Sequence, residues 1–196
     1  MTGRSVTGVV LAAGGSSRLG TPKQLLPYGD TSLLGASVDA ARACGFDQLI
    51  VTIGGAADAV RQAVPLEGID VVTVADFGSG CSSSLRAALA LVSAEATGIV
   101  LMLGDQPGVS PTTVERLVEA SSAPIVVCRY DDSIGHPFWL NRSTFSALGQ
   151  LHGDKGVWKV IESGRFAVHE LPVEGSVPPD VDTWDDYRRL LASVSR

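Results

Sequence analysis

Short apolar runs alternate along this chain with stretches whose apolar positions recur every three or four residues. Val6–Leu11 is rich in Val and Leu and lacks charge, the pattern of a strand buried on both faces. The spacing then predicts a helix over Leu33–Cys44, with Leu34, Val38 and Ala41 on one face and Gly45 as its stop. The alternation continues through strand Leu49–Ile53, helix Ala56–Val64, strand Val71–Val74, helix Ser83–Val92 and strand Ile99–Leu103. Ser110-Pro111 reads as an N-cap followed by proline at the first helical position, opening a helix through Glu119, and strand Ile125–Cys128 follows. After Cys128 the rhythm changes. His136–Leu140 and Phe166–Leu171 read as further strands, some antiparallel, and Ser143–Leu148 and Gly156–Ser163 as helices. A last helix, Thr183–Ala192, opens on Thr183 with Asp186 three residues later, a capping pair. Strands alternating with helices predict an α/β fold, a three-layer α/β/α sandwich around a mostly parallel sheet. In such sheets ligands gather beyond the carboxyl ends of the strands, so the residues that follow strands are those to read for chemistry.

Composition adjusts this picture little. The 196 residues suffice for one sizeable core, and no repeat or linker-like stretch divides them, so one domain over 1–196 is expected. Apolar residues at 45% and charged residues at 18% are those of a folded domain. The net charge of −6 argues against a broad basic surface for nucleic acid and leaves room for a local basic pocket. Met1–Thr7 does not have the pattern of a signal peptide, and no apolar run approaches the roughly 18 residues of a membrane span. Cys44, Cys81 and Cys128 are far apart and odd in number, with neither zinc spacing nor a disulfide framework. Cys81 and Cys128 read as small core residues. A cytoplasmic protein is expected.

The first strand runs into Leu11-Ala12-Ala13-Gly14-Gly15-Ser16-Ser17-Arg18-Leu19-Gly20-Thr21-Pro22-Lys23-Gln24. Glycines let the backbone curl so that successive N–H groups face one anion. Arg18 supplies a planar fork for phosphate oxygens and Lys23 a point charge. The loop is neither a P-loop nor a G-x-G-x-x-G dinucleotide fingerprint. On glycines alone it reads equally as a tight turn; the two basic residues at this spacing favour phosphate.

Asp105, in Gly104-Asp105-Gln106-Pro107, ends the strand Ile99–Leu103, where a carboxylate projects toward the glycine loop. Mg²⁺ is content with one or two carboxylates plus phosphate oxygens. Standing alone, Asp105 is also an ordinary turn residue. Asp180 and Asp182 are two apart and face the same way in an extended segment. Asp182 reads equally as a metal ligand or as a helix-capping acid. Asp185 and Asp186 fall in the first turn of the last helix and read as structural. Phe77-Gly78-Ser79-Gly80-Cys81-Ser82-Ser83-Ser84 precedes a helix; its small residues suit either a helix cap or a surface on which a flat base rests.

The run LAAGGSSRLGTPKQLLPYG resembles the signature of the nucleotidyltransferases with a MobA-like fold. Among these, the molybdenum cofactor cytidylyltransferases are the nearest likeness, through GDQP, GHP at Gly135-His136-Pro137, GDKG at Gly153-Asp154-Lys155-Gly156 and DVDT at Asp180-Val181-Asp182-Thr183, in family order. The resemblance implies a Rossmann-like sheet of the nucleotide-diphospho-sugar transferase type. It implies Arg18, Lys23 and Asp105 as catalytic residues, with Mg²⁺ on Asp105, Asp182 and Asp180. Leu11, Ala12, Ala13, Gly14, Gly15, Ser16, Gly80 and Ser83 would bind nucleotide, within a nucleotide-binding part of about 1–108, and the remainder would bind acceptor. His136 and Lys155 would face a pterin; alone, a lone His is usually a packed residue and Lys155 a solvated charge. Ala13 stands where guanylyl-transferring relatives have Gly, which implies CTP as donor. The implied acceptor is molybdopterin or the molybdenum cofactor, with a molybdoenzyme as a further partner. Two departures are visible: Leu19 where Met is common, and Trp184 where Pro is common after DVDT.

Two other readings remain at this point. One is cytidylyl transfer to methylerythritol phosphate or another small phosphorylated acceptor, suggested by Pro22-Lys23-Gln24. The other is a nucleotide- or pterin-binding chaperone for a molybdoenzyme, which would have no need of Asp105, Asp180 and Asp182.

Overall fold

The computed structural model describes residues 5–153 and 156–194. Strand β1 (Ser5–Ala12) is almost wholly buried and lies at the middle of the parallel part of the sheet. It pairs in parallel with β4 (Gln48–Ile53) on one side and β6 (Ala96–Leu103) on the other, with Val9 opposite both Ile50 and Leu101. Beyond β4 lies β5 (Asp70–Thr73), also parallel. Beyond β6 lie β8 (Ile134–Asn141), β7 (Ile125–Arg129) and β9 (Val168–Pro172). The seven strands form one sheet in the order β5-β4-β1-β6-β8-β7-β9. Strand β8 is antiparallel to both neighbours. The turn from β7 to β8 is too short for a crossover helix, so the chain reverses and β8 fits between β6 and β7. The remaining strands, β2 (Pro27–Tyr28) and β3 (Thr31–Ser32), form a small hairpin that the apolar pattern does not show.

Helices cover both faces, as parallel strands rich in Val and Ile require. One face carries α1 (Leu33–Ala43), α2 (Ala57–Ala63) and α4 (Pro111–Glu119), whose Leu34, Val38, Val60, Val114 and Leu117 pack on Val10, Val51 and Val100. The other carries α3 (Cys81–Leu89), α5 (Phe145–Gly149) and α6 (Gly156–Glu162), through Leu85, Leu148, Val157 and Val160 on Val9, Ile99 and Phe138. The last helix, α7 (Trp184–Val194), lies at the carboxyl end of the sheet. There Val181 and Leu190 join Leu19, Leu26 and Leu33 in a third apolar cluster. That cluster fastens the C-terminal segment to the glycine loop. Among the described residues no helix is long and apolar enough to cross a membrane.

Cap chemistry corrects the sequence reading in two places. Ser110 makes no side-chain cap bond; Pro111 at the start of α4 is as expected. Helix α3 begins at Cys81 rather than Ser83 and is entered through Gly80 at φ 96°, without a side-chain cap. The neighbouring serines donate instead: Ser82 to the Gly153 carbonyl, and Ser83 to the carbonyls of Asp76 and Gly80. At α7 the expected box is present. Asp186 accepts from the Thr183 amide and hydroxyl, each at 2.7 Å, and the Asp186 amide donates to the Thr183 hydroxyl at 3.2 Å. Asp185 pairs with Arg188 on the surface.

Candidate active site

A cleft of about 570 Å³ opens at the carboxyl ends of β1 and β6. Residues Leu11 to Arg18 line it without interruption, joined by Lys23, Gln24, Phe77, Gly78, Gly80, Cys81, Ser84, Leu103, Gly104, Asp105, Asp180 and Asp182. The end of β1 and the end of β6 approach closely: the Gly104 amide donates to the Leu11 carbonyl at 2.9 Å, and a Cβ on Gly104 would lie 2.6 Å from that of Ala12. Only glycine lets Asp105 start this near the loop.

The loop is held from inside. The Gln24 side chain is 5% exposed and donates to the carbonyls of Ala12 at 2.7 Å and Gly14 at 2.8 Å. Ser16 takes a left-handed backbone, φ 52°, and its carbonyl accepts from the amides of Leu19 and Gly20. Its hydroxyl accepts from the Lys23 amide at 2.9 Å. Phe77 packs its ring on Gly15 and Gly55, where a Cβ would crowd it, and a Cβ on Gly54 would lie 2.2 Å from the Ala13 carbonyl oxygen. Gly14 and Gly15 remain exposed in the cleft.

The charged groups converge on Lys23. Its ammonium donates to Asp105 Oδ2 at 2.6 Å, to Asp182 Oδ1 at 3.0 Å and to the Val181 carbonyl at 2.9 Å. Arg18 donates to the other oxygen of Asp182 at 3.0 Å. Val181 is fully buried, so in this extended segment the residues on either side, Asp180 and Asp182, turn toward the cleft. Buried Gln106 donates to the Pro178 carbonyl at 2.8 Å and steadies the approach to Asp180. Burial alone would lower the Lys23 pKa, but Asp105 and Asp182 outweigh it and hold the ammonium above its ordinary value. Burial would raise Asp182, yet Lys23 and Arg18 hold its carboxyl below the ordinary value. Asp180 is pushed up, first by burial and then by the charges of Asp105 and Asp182. The site is thus locally rich in negative charge around one ammonium.

Hard carboxylate oxygens from Asp105, Asp180 and Asp182 suit Mg²⁺ or Mn²⁺. Among the described residues no three His, Cys, Asp or Glu side chains already converge as a metal cage. An ion here would need ligands from its substrate, as Mg²⁺ at a phosphate site commonly does.

Of the residues singled out in the sequence, Leu11, Ala12, Ala13, Gly14, Gly15, Ser16, Arg18, Lys23, Gly80, Asp105, Asp180 and Asp182 line the one cleft. Ser83 is buried behind it, its hydroxyl tied to backbone, and Ser84 lines the cleft instead. Cys81 is exposed and lines the cleft, contrary to its reading as a core residue; Cys128 is buried as read. His136 lies outside the lining, stacked on Phe138 with ring centroids 4.1 Å apart. Burial lowers its pKa to about 4, so its imidazole is neutral near pH 7. Lys155 lies outside the described residues. Gln24, Phe77 and Ser84 were not singled out. A glutamine one residue past the loop lysine, beside carbonyls that need donors, was the available signal for Gln24.

A model of the MobA-like NTP transferase domain matches residues 8–170. The chain belongs to this family, and so to the nucleotidyltransferases. The crystal structure of Rv0371c from Mycobacterium tuberculosis H37Rv superimposes at a TM-score of 0.93 with 63% identity, over 98% of this chain and 100% of that one. A second structure of that protein, in complex with manganese, matches at 0.88 with 60% identity, over 96% and 99% of the two chains. A nucleotidyl transferase from Methanothermobacter matches at 0.81 with 27% identity, over 99% of each chain. The nicotine blue oxidoreductase of Paenarthrobacter nicotinovorans is 32% identical over 95% of this chain and 96% of its own. The shared fold is a mostly parallel sheet flanked by helices, as the sequence pattern predicts.

Proposed function

We propose that this MobA-like family member transfers CMP from CTP to the terminal phosphate of a molybdopterin-type acceptor and releases pyrophosphate. The observation that carries the reading is the convergence of Arg18, Lys23, Asp105 and Asp182 on one glycine loop. The acceptor phosphate is already anionic near pH 7, so the step needs in-line positioning and charge neutralisation rather than a strong base. One acceptor oxygen bonds to the α-phosphorus as the bond to the bridging oxygen breaks, and pyrophosphate leaves with that electron pair. In this reading the N–H groups of the exposed Gly14 and Gly15 and the cations Arg18 and Lys23 would hold the triphosphate. Asp105 and Asp182, with Asp180 beside them, would hold Mg²⁺ or Mn²⁺. The ion would supply charge neutralisation on phosphate oxygens. Gly80 and the start of α3 border the base, and Ala13 narrows the loop toward a pyrimidine. His136 and Lys155 belong to the acceptor side, where a neutral His136 offers a hydrogen bond and no charge.

The oxidoreductase named among the relatives raises a redox alternative. A cleft whose charged groups are arranged for phosphate and metal favours nucleotidyl transfer over hydride transfer. The test is pyrophosphate release with CTP, GTP, ATP or UTP, each against molybdopterin and against sugar and polyol phosphates, with Mg²⁺ or Mn²⁺. CTP with molybdopterin is expected to be the fastest pair. Better use of GTP or ATP overturns the donor, and better use of a polyol phosphate overturns the acceptor. No pyrophosphate from any pair, together with NADH or NADPH oxidation, refutes transfer by this cleft.

A further inference from the structure

Lys23 stands where an ion would compete with it. An ammonium has three protons to donate. In Lys23 they meet three acceptors: Asp105 at 2.6 Å, the Val181 carbonyl at 2.9 Å and Asp182 at 3.0 Å. The side chains of Lys23 and Asp105 are only 16% and 12% exposed, so water screens this pair poorly. A divalent cation held by Asp105 and Asp182 needs the same oxygens, and the two positive charges repel at that range. Arg18 repeats the arrangement more weakly, on the outer oxygen of Asp182, with 68% of its own side chain exposed.

We propose that Lys23 is a built-in counter-ion that occupies the divalent-cation position of the ligand-free protein and is drawn away by the incoming triphosphate. The inference rests on reading Asp105 and Asp182 as metal ligands. Phosphate oxygens take over as acceptors of the hydrogen bonds that Lys23 and Arg18 donate, both side chains staying charged, and the two carboxylates are released to the ion. Cation and triphosphate therefore each tighten the binding of the other, as linkage requires. The free protein binds the ion weakly and keeps its aspartates from drifting apart. Lys23 is in this sense a positioning residue for the metal ligands as well as a phosphate ligand.

The probe is Mn²⁺ alone, with free ion followed by electron paramagnetic resonance, on the whole chain without nucleotide. Lys23→Met keeps the length of the side chain and loses its charge. It is expected to bind Mn²⁺ at least tenfold more tightly than wild type. Arg18→Gln should gain less than threefold, because Arg18 reaches Asp182 only. Adding Asp105→Asn to Lys23→Met should abolish the gain. Mn²⁺ should also raise the melting temperature of Lys23→Met more than that of wild type. Lys23→Gln repeats the comparison should the methionine variant misfold. Wild type offers an independent check by ¹⁵N NMR: the Nζ protons of Lys23 should be protected from exchange, and saturating Mg²⁺ with inorganic triphosphate should shift the Nζ signal. Folded Lys23→Met and wild type binding Mn²⁺ within twofold of each other at the aspartates would overturn the role of Lys23 and leave the metal reading standing. No Mn²⁺ binding by any variant at millimolar concentration would overturn both.

Discussion

Gln24→Met removes the two short hydrogen bonds that Gln24 donates, a long 3.5 Å one that it accepts from the Ser16 hydroxyl, and almost no volume, which makes it a sharp probe of how the glycine loop is held. The amide of Gln24 donates to the carbonyls of Ala12 and Gly14 at 2.7 and 2.8 Å, and the side chain is buried. The Gly14 residue is exposed, so its carbonyl can turn to water, and the loss there is about 1 kcal/mol. Ala12 is 7% exposed, and its carbonyl loses a donor where water enters poorly, at a cost of about 1–3 kcal/mol. Together the variant should lose about 2–4 kcal/mol in equilibrium urea unfolding, with an unchanged slope. Because the same carbonyls fix the course of Leu11–Arg18, turnover should fall with stability. Misplacement on the order of 1 Å costs roughly 10²-fold in kcat/KM. Gln24→Glu adds a pH signature. An ionised carboxylate would face two carbonyl oxygens, so the folded state favours the protonated acid and raises its pKa above the unfolded value of about 4.3. Its stability is then greatest below that pH and falls as pH rises, whereas Gln24→Met lacks this dependence. A Gln24→Met protein that unfolds within about 0.5 kcal/mol of wild type and turns over normally would refute the account.

Two further outcomes follow from the same geometry. Arg18→Lys should retain only part of the pyrophosphate release, because a point charge replaces a fork; alanine at Arg18 or Lys23 should cost on the order of 10²–10³-fold in rate, and wild-type rates in both alanine variants would reduce the loop to a structural turn. Hydrogen bonds from Thr183 are the main cause that lowers the Asp186 carboxyl from its ordinary 3.8 to about 2. The stabilisation it lends is complete above about pH 4 and lost as pH falls toward 2, so acid titration by circular dichroism should show a steeper loss in wild type than in Asp186→Asn. Parallel acid transitions in the two would remove Asp186 from the cap.

Much of the framework is legible in the amino-acid pattern. Runs such as Val6–Leu11 and Ile99–Leu103 carry their burial in their composition, because a parallel strand covered on both faces favours apolar side chains; the one hydroxyl among them, on buried Thr7, donates to Gln48 at 3.0 Å. The chemistry at their ends was legible for the same reason: a glycine loop and an aspartate that each follow a buried strand must emerge on one edge of the sheet. Thr183 and Asp186 were readable because a capping box spans only one helical turn.

What depended on distant pairing was not readable. Strand β8 inserts antiparallel between β6 and β7, a choice made by a short turn and by which sheet edge is open. The placement of Ser83 behind the cleft, Cys81 within it and His136 outside it follows from how α3 and β8 lie on the sheet. The sequence named Lys23, Asp105 and Asp182 separately, as phosphate and metal ligands. Their direct pairing joins positions 82 and 159 residues apart. It arises because buried Val181 fastens one end of the chain to the loop at the other. Local periodicity determines which face of an element is buried; only the folded chain decides which charges then meet.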